Sequence, residues 1–216
     1  MNKKNLKKIF LINTHTMKKI IFATTNQGKV REVKMMMEDF GVDFVTMKDA
    51  GIDIDIVEDG KTFEENAIIK AKTIMEATGE IALADDSGLE VDYLDGAPGI
   101  YSARFLGEDT SYDEKNKYII EKLKDAKGKE RSARFVCAMA VAFPNGEIET
   151  CRGTIEGLIG YEQKGKNGFG YDPIVYVPEY EMTTGEMAPE LKNSISHRGK
   201  ALEQMKEILK RKLDLN

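Results

Sequence analysis

Asp85-Asp86-Ser87-Gly88 directly follows the apolar run Ile81 to Ala84. Two adjacent carboxylates repel each other, so a chain sets them side by side where a cation or a proton-transfer task offsets the repulsion. Neighbouring side chains diverge at a strand end, which leaves one of the pair to face a site. An acidic turn capped by Asp85 would look the same in sequence. Oxygen donors alone favour Mg²⁺, which keeps several waters and is shared between carboxylates and substrate phosphates. His15 and His197 are the only histidines, and Cys137 and Cys151 lie outside any zinc spacing. Whatever chemistry occurs is expected to run on carboxylates.

Three further clusters accompany this one. Thr24-Thr25-Asn26-Gln27-Gly28-Lys29 lies between an apolar run and a helical one. There a helix N-terminus could meet a phosphate and Lys29 could add a point charge, although a capped turn reads alike and the P-loop pattern is absent. Asn167-Gly168-Phe169-Gly170-Tyr171-Asp172-Pro173 puts two aromatics among glycines, able to lay a ring against a base. Asp172 before Pro173 is expected to be extended and aimed at a ligand edge, though Asp-Pro also begins ordinary turns. Lys192 to Lys200, with His197 and Arg198, puts positive charge at the start of a helix, against its macrodipole. Something anionic or electron-rich nearby would explain that, and His197 and Arg198 could bond a keto oxygen on a base.

Strand and helix signals alternate around these clusters. Lys18–Ala23 reads as a strand, with Val30, Val33, Met36, Met37 and Phe40 as the apolar face of a helix stopped at Gly41. Val42–Thr46 is a short strand, and an acidic loop follows through Asp53, Asp55, Glu58 and Asp59. Thr62-Phe63-Glu64-Glu65 and Ser111-Tyr112-Asp113-Glu114 are capping boxes; the first opens a helix ending near Gly79, the second a helix with Tyr118, Ile119 and Leu123 on its apolar side. The stretch after Gly88, as far as Arg104, reads as loop-rich. Pro144-Asn145-Gly146 between Phe135–Phe143 and Glu147–Glu156 is a hairpin signal. Ile174–Val177 is a strand, and Ser196 caps a last helix carrying Leu202, Met205, Leu209 and Leu213. The pattern predicts an α/β fold with a mixed sheet.

Hydrophobic residues make up 41% of the 216 and charged residues 32%, which suits an ordinary globular domain. The net charge of −5 argues against a nucleic-acid polymer as partner, since a basic footprint is lacking. No run of about 18 apolar residues occurs, so no membrane span is expected. Two cysteines without a disulfide framework suit a reducing cytoplasm. Residues 1–16 carry four lysines and no acid, leaving −9 on the remainder. They read as an extension from an upstream start or from cloning, ahead of one domain over residues 17–216.

Taken together, ThrThrAsnGlnGlyLys, AlaAspAspSerGlyLeu, GlyAlaProGlyIleTyrSerAlaArg, GlyPheGlyTyrAspPro and SerHisArgGlyLysAla, in order from Thr24 to Ala201, closely resemble the inosine triphosphate pyrophosphatase family. The resemblance implies an elongated, bilobed fold with a mixed central sheet flanked by helices and a substrate cleft between lobes, usually as a homodimer. It implies hydrolysis of the noncanonical purine nucleoside triphosphates ITP, dITP and XTP to the monophosphate and pyrophosphate. Carried over, Thr24, Thr25, Asn26, Gln27, Gly28 and Lys29 would hold the triphosphate. Asp86 would be general base and Mg²⁺ ligand, and Ser87 would contact substrate. Phe169, Gly170, Tyr171, Asp172, Lys192, His197 and Arg198 would form the base pocket. Glu58 matches a second metal-ligand position, with Asp55 or Glu65 as alternatives because the loop varies in length. Two rival readings differ in outcome: an aspartyl-nucleophile phosphatase would release orthophosphate, and a non-catalytic nucleotide-binding regulator would not need Asp86.

Overall fold

The computed structural model describes residues 17–215, so the extension assigned to residues 1–16 lies outside the described residues. A seven-stranded sheet runs in the order β2-β1-β3-β4-β5-β6-β7. β1 (Lys19–Phe22) pairs in parallel with β2 (Asp43–Thr46) and β3 (Ile81–Val91), because helices α1 (Gln27–Met37) and α2 (Phe63–Thr78) supply the crossovers. β4 (Ser132–Ala142) and β5 (Ile148–Ile159) form the expected hairpin, with Gly146 N–H donating to Phe143 O at its tip. β6 (Val175–Val177) and β7 (Met182–Thr183) finish the antiparallel half.

The strands alternate in what they bury. Ile20 and Phe22 face α1 and the final helix α5 (His197–Leu213), packing with Val33, Leu202, Met205 and Leu209. Ile21 and Ala23 face the opposite side with Ala82, Ala84, Ala140 and Ala142, and these small side chains let Ala67, Ala71 and Ile74 of α2 approach closely. At the far end of β3–β5 a separate core forms around Leu89, Phe135, Ile155 and Ile174, covered by Ile119 of α3 (Tyr112–Lys122) and by Leu123 at the C-cap of that helix. Two lobes therefore share the long strands, and Asp85 and Asp86 lie where one core gives way to the other. Among the described residues no helix is long and apolar enough to cross a membrane.

Several expectations change. The strand of Ile81 does not end at the acidic pair: β3 continues to Val91, with Asp85 opposite Met139 and Asp86 opposite Ala138. A partner strand of full length outweighs the poor local strand propensity of Asp, Ser and Gly. The Ser111 capping box is complete, but that of Thr62 is half made: Thr62 Oγ1 accepts from Glu65 N–H, whereas the Glu65 carboxylate accepts from Lys61 N–H. Tyr118 is exposed, since Lys115 and Asn116 occupy the buried face of α3 beside Ile119 and Leu123. Helix α4 (Pro189–Ile195) and strand β7 were not anticipated. Gly79 does end α2, in the left-handed conformation, with its N–H donating to Met75 O.

Candidate active site between the lobes

A cleft of about 360 Å³ opens between the lobes. On its floor, β1 hands over to α1 through Thr24, Thr25 and Asn26. Asn26 caps the helix, its Oδ1 accepting from Gly28 N–H (2.9 Å) and Lys29 N–H (3.2 Å). Those two donors are thus engaged internally, and the helix end offers fewer free N–H groups to an anion than its sequence promised. Gln27 is exposed and donates to Thr25 O, while Gly28 is buried; neither side lines the cleft, unlike Thr24, Thr25, Asn26 and Lys29. Lys29 Nζ reaches across to β3, 3.2 Å from Asp85 Oδ1.

The acidic pair splits between the two faces of β3. Asp85 is fully buried against Arg198 Nε (3.1 Å) and Lys29; burial opposes its charge, but Lys29, Arg198 and Lys70 outweigh it and hold its carboxyl well below the usual range. Ser87, two residues on, shares that face and accepts from Arg198 Nη2 at 2.8 Å. Asp86 points the other way. It accepts from Asn66 Nδ2 (3.1 Å) and pairs with Lys70 Nζ (3.3 Å). Burial pushes its pKa up, only partly countered by Lys70 and Lys29. Lys70 Nζ also lies 2.8 Å from Glu58 Oε2, so one ammonium bridges the two carboxylates. No group of three acidic, histidine or cysteine side chains that could hold a metal exists among the described residues. Asp86 and Glu58 nonetheless flank a position that already concentrates positive charge, and one or two carboxylates plus substrate oxygens is the donor set Mg²⁺ takes. Asp55 also lines the cleft; Glu65 does not, its carboxylate being turned to Lys61 N–H.

At the other end, Phe169 lies over Gly28, with Lys192 Nζ 5.2 Å and Arg198 Cζ 5.6 Å from its ring centre. Asp172 is buried, and its carboxylate is already engaged by Phe169 N–H (2.7 Å), Thr184 Oγ1 (2.8 Å) and Lys192 Nζ. It holds the loop and the lysine rather than standing free. Tyr171 is buried with its hydroxyl donating to Ser102 O at 2.8 Å, and Gly170 follows the same wall. His197 stacks on Phe135 at 4.8 Å. Burial, then Arg198 and Lys192, press its pKa well below 6.5, so the ring is neutral near pH 7. Its Nδ1 is buried without a partner among the described residues.

The anion that explains the cationic helix start is Glu32. Its carboxylate accepts from Lys192 Nζ (2.7 Å) and Arg198 Nη1, and Lys192 and Arg198 are almost wholly buried. Glu32, Asn66 and Lys70 were missed in the sequence. Asn66 and Lys70 were within reach: they stand four apart among Phe63, Ala67, Ala71 and Ile74, on a face that should be apolar.

A family model described as the Ham1 family matches residues 20–208. A dITP/XTP pyrophosphatase of Clostridium perfringens is 49% identical, covering 90% of this chain and 98% of its own length. One from Bacillus licheniformis is 48% identical, covering 89% and 98%. Among solved structures, a HAM1 protein from Coxiella burnetii superposes with a TM-score of 0.82 at 42% identity, covering 90% of this chain and all of that one. The Staphylococcus aureus Ham1 protein gives 0.80 at 39% identity, with the same coverage.

Proposed function

Since this chain belongs to the Ham1 family, we propose that its cleft hydrolyses the noncanonical purine nucleoside triphosphates ITP, dITP and XTP to the monophosphate and pyrophosphate. The observation that carries this reading is the division of β3: Asp86, pushed up in pKa, faces one side with Lys70 and Glu58, and Asp85 anchors the base-pocket cation Arg198 on the other.

Asp86 takes the proton of the attacking water, and its raised pKa makes it a better acceptor at neutral pH than an ordinary carboxylate. Asn66 and Lys70 fix its orientation. Lys29, reaching from the start of α1, stabilises charge on the departing pyrophosphate, with Thr24, Thr25 and Asn26 along the same wall. Asp86 and Glu58 would hold Mg²⁺, which when bound neutralises phosphate oxygens and lowers the pKa of bound water. Phe169 stacks on the purine. Lys192, Arg198 and His197 discriminate by their remaining N–H groups: a 6-keto oxygen pairs with them, whereas an adenine amino group would leave a buried donor unpaired, a cost of about 1–3 kcal/mol. The enzyme acts in the cytoplasm, on free nucleotides rather than polymers, as a homodimer.

The test is a panel of nucleoside triphosphates assayed with and without Mg²⁺, reading pyrophosphate and orthophosphate separately. Stoichiometric pyrophosphate from ITP, dITP and XTP, with little from ATP, is expected. Orthophosphate as the first product would overturn the reading.

A further inference from the structure

Arg104 breaks the charge pattern of the cleft. The other cations lining it are each within 3.3 Å of a carboxylate: Lys29 with Asp85, Lys70 with Glu58 and Asp86, Lys192 with Glu32 and Asp172, Arg198 with Glu32 and Asp85. Arg104 lines the same cleft, half-buried, and among the described residues its guanidinium forms no ion pair or hydrogen bond. It rests on the Tyr101 ring, 4.9 Å from its centre.

Its backbone, by contrast, is tightly fixed. Gly88 lets this segment meet β3 so closely that a Cβ there would lie 2.4 Å from Gly99 O and Ser102 Oγ. Ser102 Oγ accepts from Leu89 N–H (2.9 Å), Tyr171 Oη donates to Ser102 O (2.8 Å), and Lys115 Nζ donates to Ala103 O (2.6 Å). Lys115 is buried and its pKa is lowered by desolvation; its ammonium holds this carbonyl while lying 4.9 Å from the centre of the Tyr112 ring. A rigid backbone presenting an uncommitted planar fork of N–H donors, stacked on an aromatic, is suited to bidentate recognition of an oxyanion.

We infer that Arg104 binds phosphate oxygens of the substrate's triphosphate chain, from the lobe opposite Lys29. The assignment rests on the reading of the cleft as a nucleoside triphosphate site. The paired cations have their charge largely neutralised by protein carboxylates; Arg104 supplies charge still available to the ligand, and it clamps the chain from the α3 lobe while Lys29 holds it from the α1 lobe.

The test is calorimetric titration of the wild type, Arg104→Ala and Arg104→Lys with inorganic triphosphate and, separately, inosine. Arg104→Ala is expected to bind inorganic triphosphate about tenfold more weakly or worse, the loss of one charge-assisted contact. Arg104→Lys should fall between, and inosine affinity should stay within about twofold for all three. Unaltered triphosphate affinity, or an equal loss toward inosine, overturns the inference. Wild-type pyrophosphate release from ITP is measured in parallel. Its absence would sink the functional reading while leaving the oxyanion result to stand or fall on its own.

Discussion

Asp85 and Asp86 share a peptide bond but point to opposite faces of β3. Asp85 lies 3.1 Å from Arg198 on one face of β3, and Asp86 lies 3.3 Å from Lys70 on the other, with their pKa values driven in opposite directions. The alternation of a β-strand thus turns a repulsive pair into a structural anchor and a reactive group. Asp86→Asn should keep the shape and the Asn66 contact but lose the proton acceptor. Turnover of ITP is expected to fall by about 10²–10⁴ while ITP still binds. Pyrophosphate release measured beside equilibrium binding checks this, and sustained turnover would remove Asp86 from its role.

Glu32 neutralises two buried cations at once, Lys192 and Arg198. Glu32→Gln should leave them undercompensated, and removing one partner of a buried ion pair costs about 3–5 kcal/mol. Urea denaturation is expected to show a lower midpoint with an unchanged slope. Burial opposes the Glu32 charge, yet Arg198 and Lys192 prevail and its folded pKa is lowered. Its contribution is therefore full above the unfolded value of 4.5 and fades as pH falls below it. A variant as stable as the wild type at pH 7 would show that the network tolerates a missing charge.

Helices α1, α2, α3 and α5, the hairpin and the four motif clusters could be read locally, because periodicity, caps and turn residues lie within a few positions of one another. The ion-pair network could not. Glu32 and Arg198 stand 166 residues apart, and Glu32 looks in sequence like any helical glutamate beside Val33. The same limit hid the length of β3, since only the presence of β4 alongside makes Asp85 and Asp86 strand residues. Asp172 was legible as a site residue, but its commitment to Lys192 and Thr184 depended on folding. Helix α4 carried one local sign, Pro189 at its first position, too little to identify a helix of 7 residues.

His197 gives a pH signature. Its folded pKa is depressed by burial and by Arg198 and Lys192, so the unfolded chain binds the proton more readily. Stability from this group is complete above the unfolded pKa of 6.5 and declines as pH falls toward the folded value. Between about pH 7.5 and pH 5.5, wild-type unfolding free energy should drop by about 1 kcal/mol more than that of His197→Gln. Identical drops in the two proteins would mean that His197 titrates normally.

Gly28 separates stability from function. Alanine at an exposed position inside a helix would stabilise it by about 1 kcal/mol over glycine. Here a Cβ would come within 2.5–2.8 Å of the Phe169 ring, so the ring must move. Phe169 sits on a loop whose nearest anchor is its own N–H on Asp172, so the ring can swing without unfolding the core. Gly28→Ala is therefore expected to leave the melting temperature close to that of the wild type or above it. KM for ITP should rise about tenfold with kcat little altered, because Asp86 and Lys70 lie on β3 and α2, away from the displaced ring. An unchanged KM would mean that the ring is not part of the purine platform, and a fall in kcat at constant KM would tie Phe169 to the reacting groups instead.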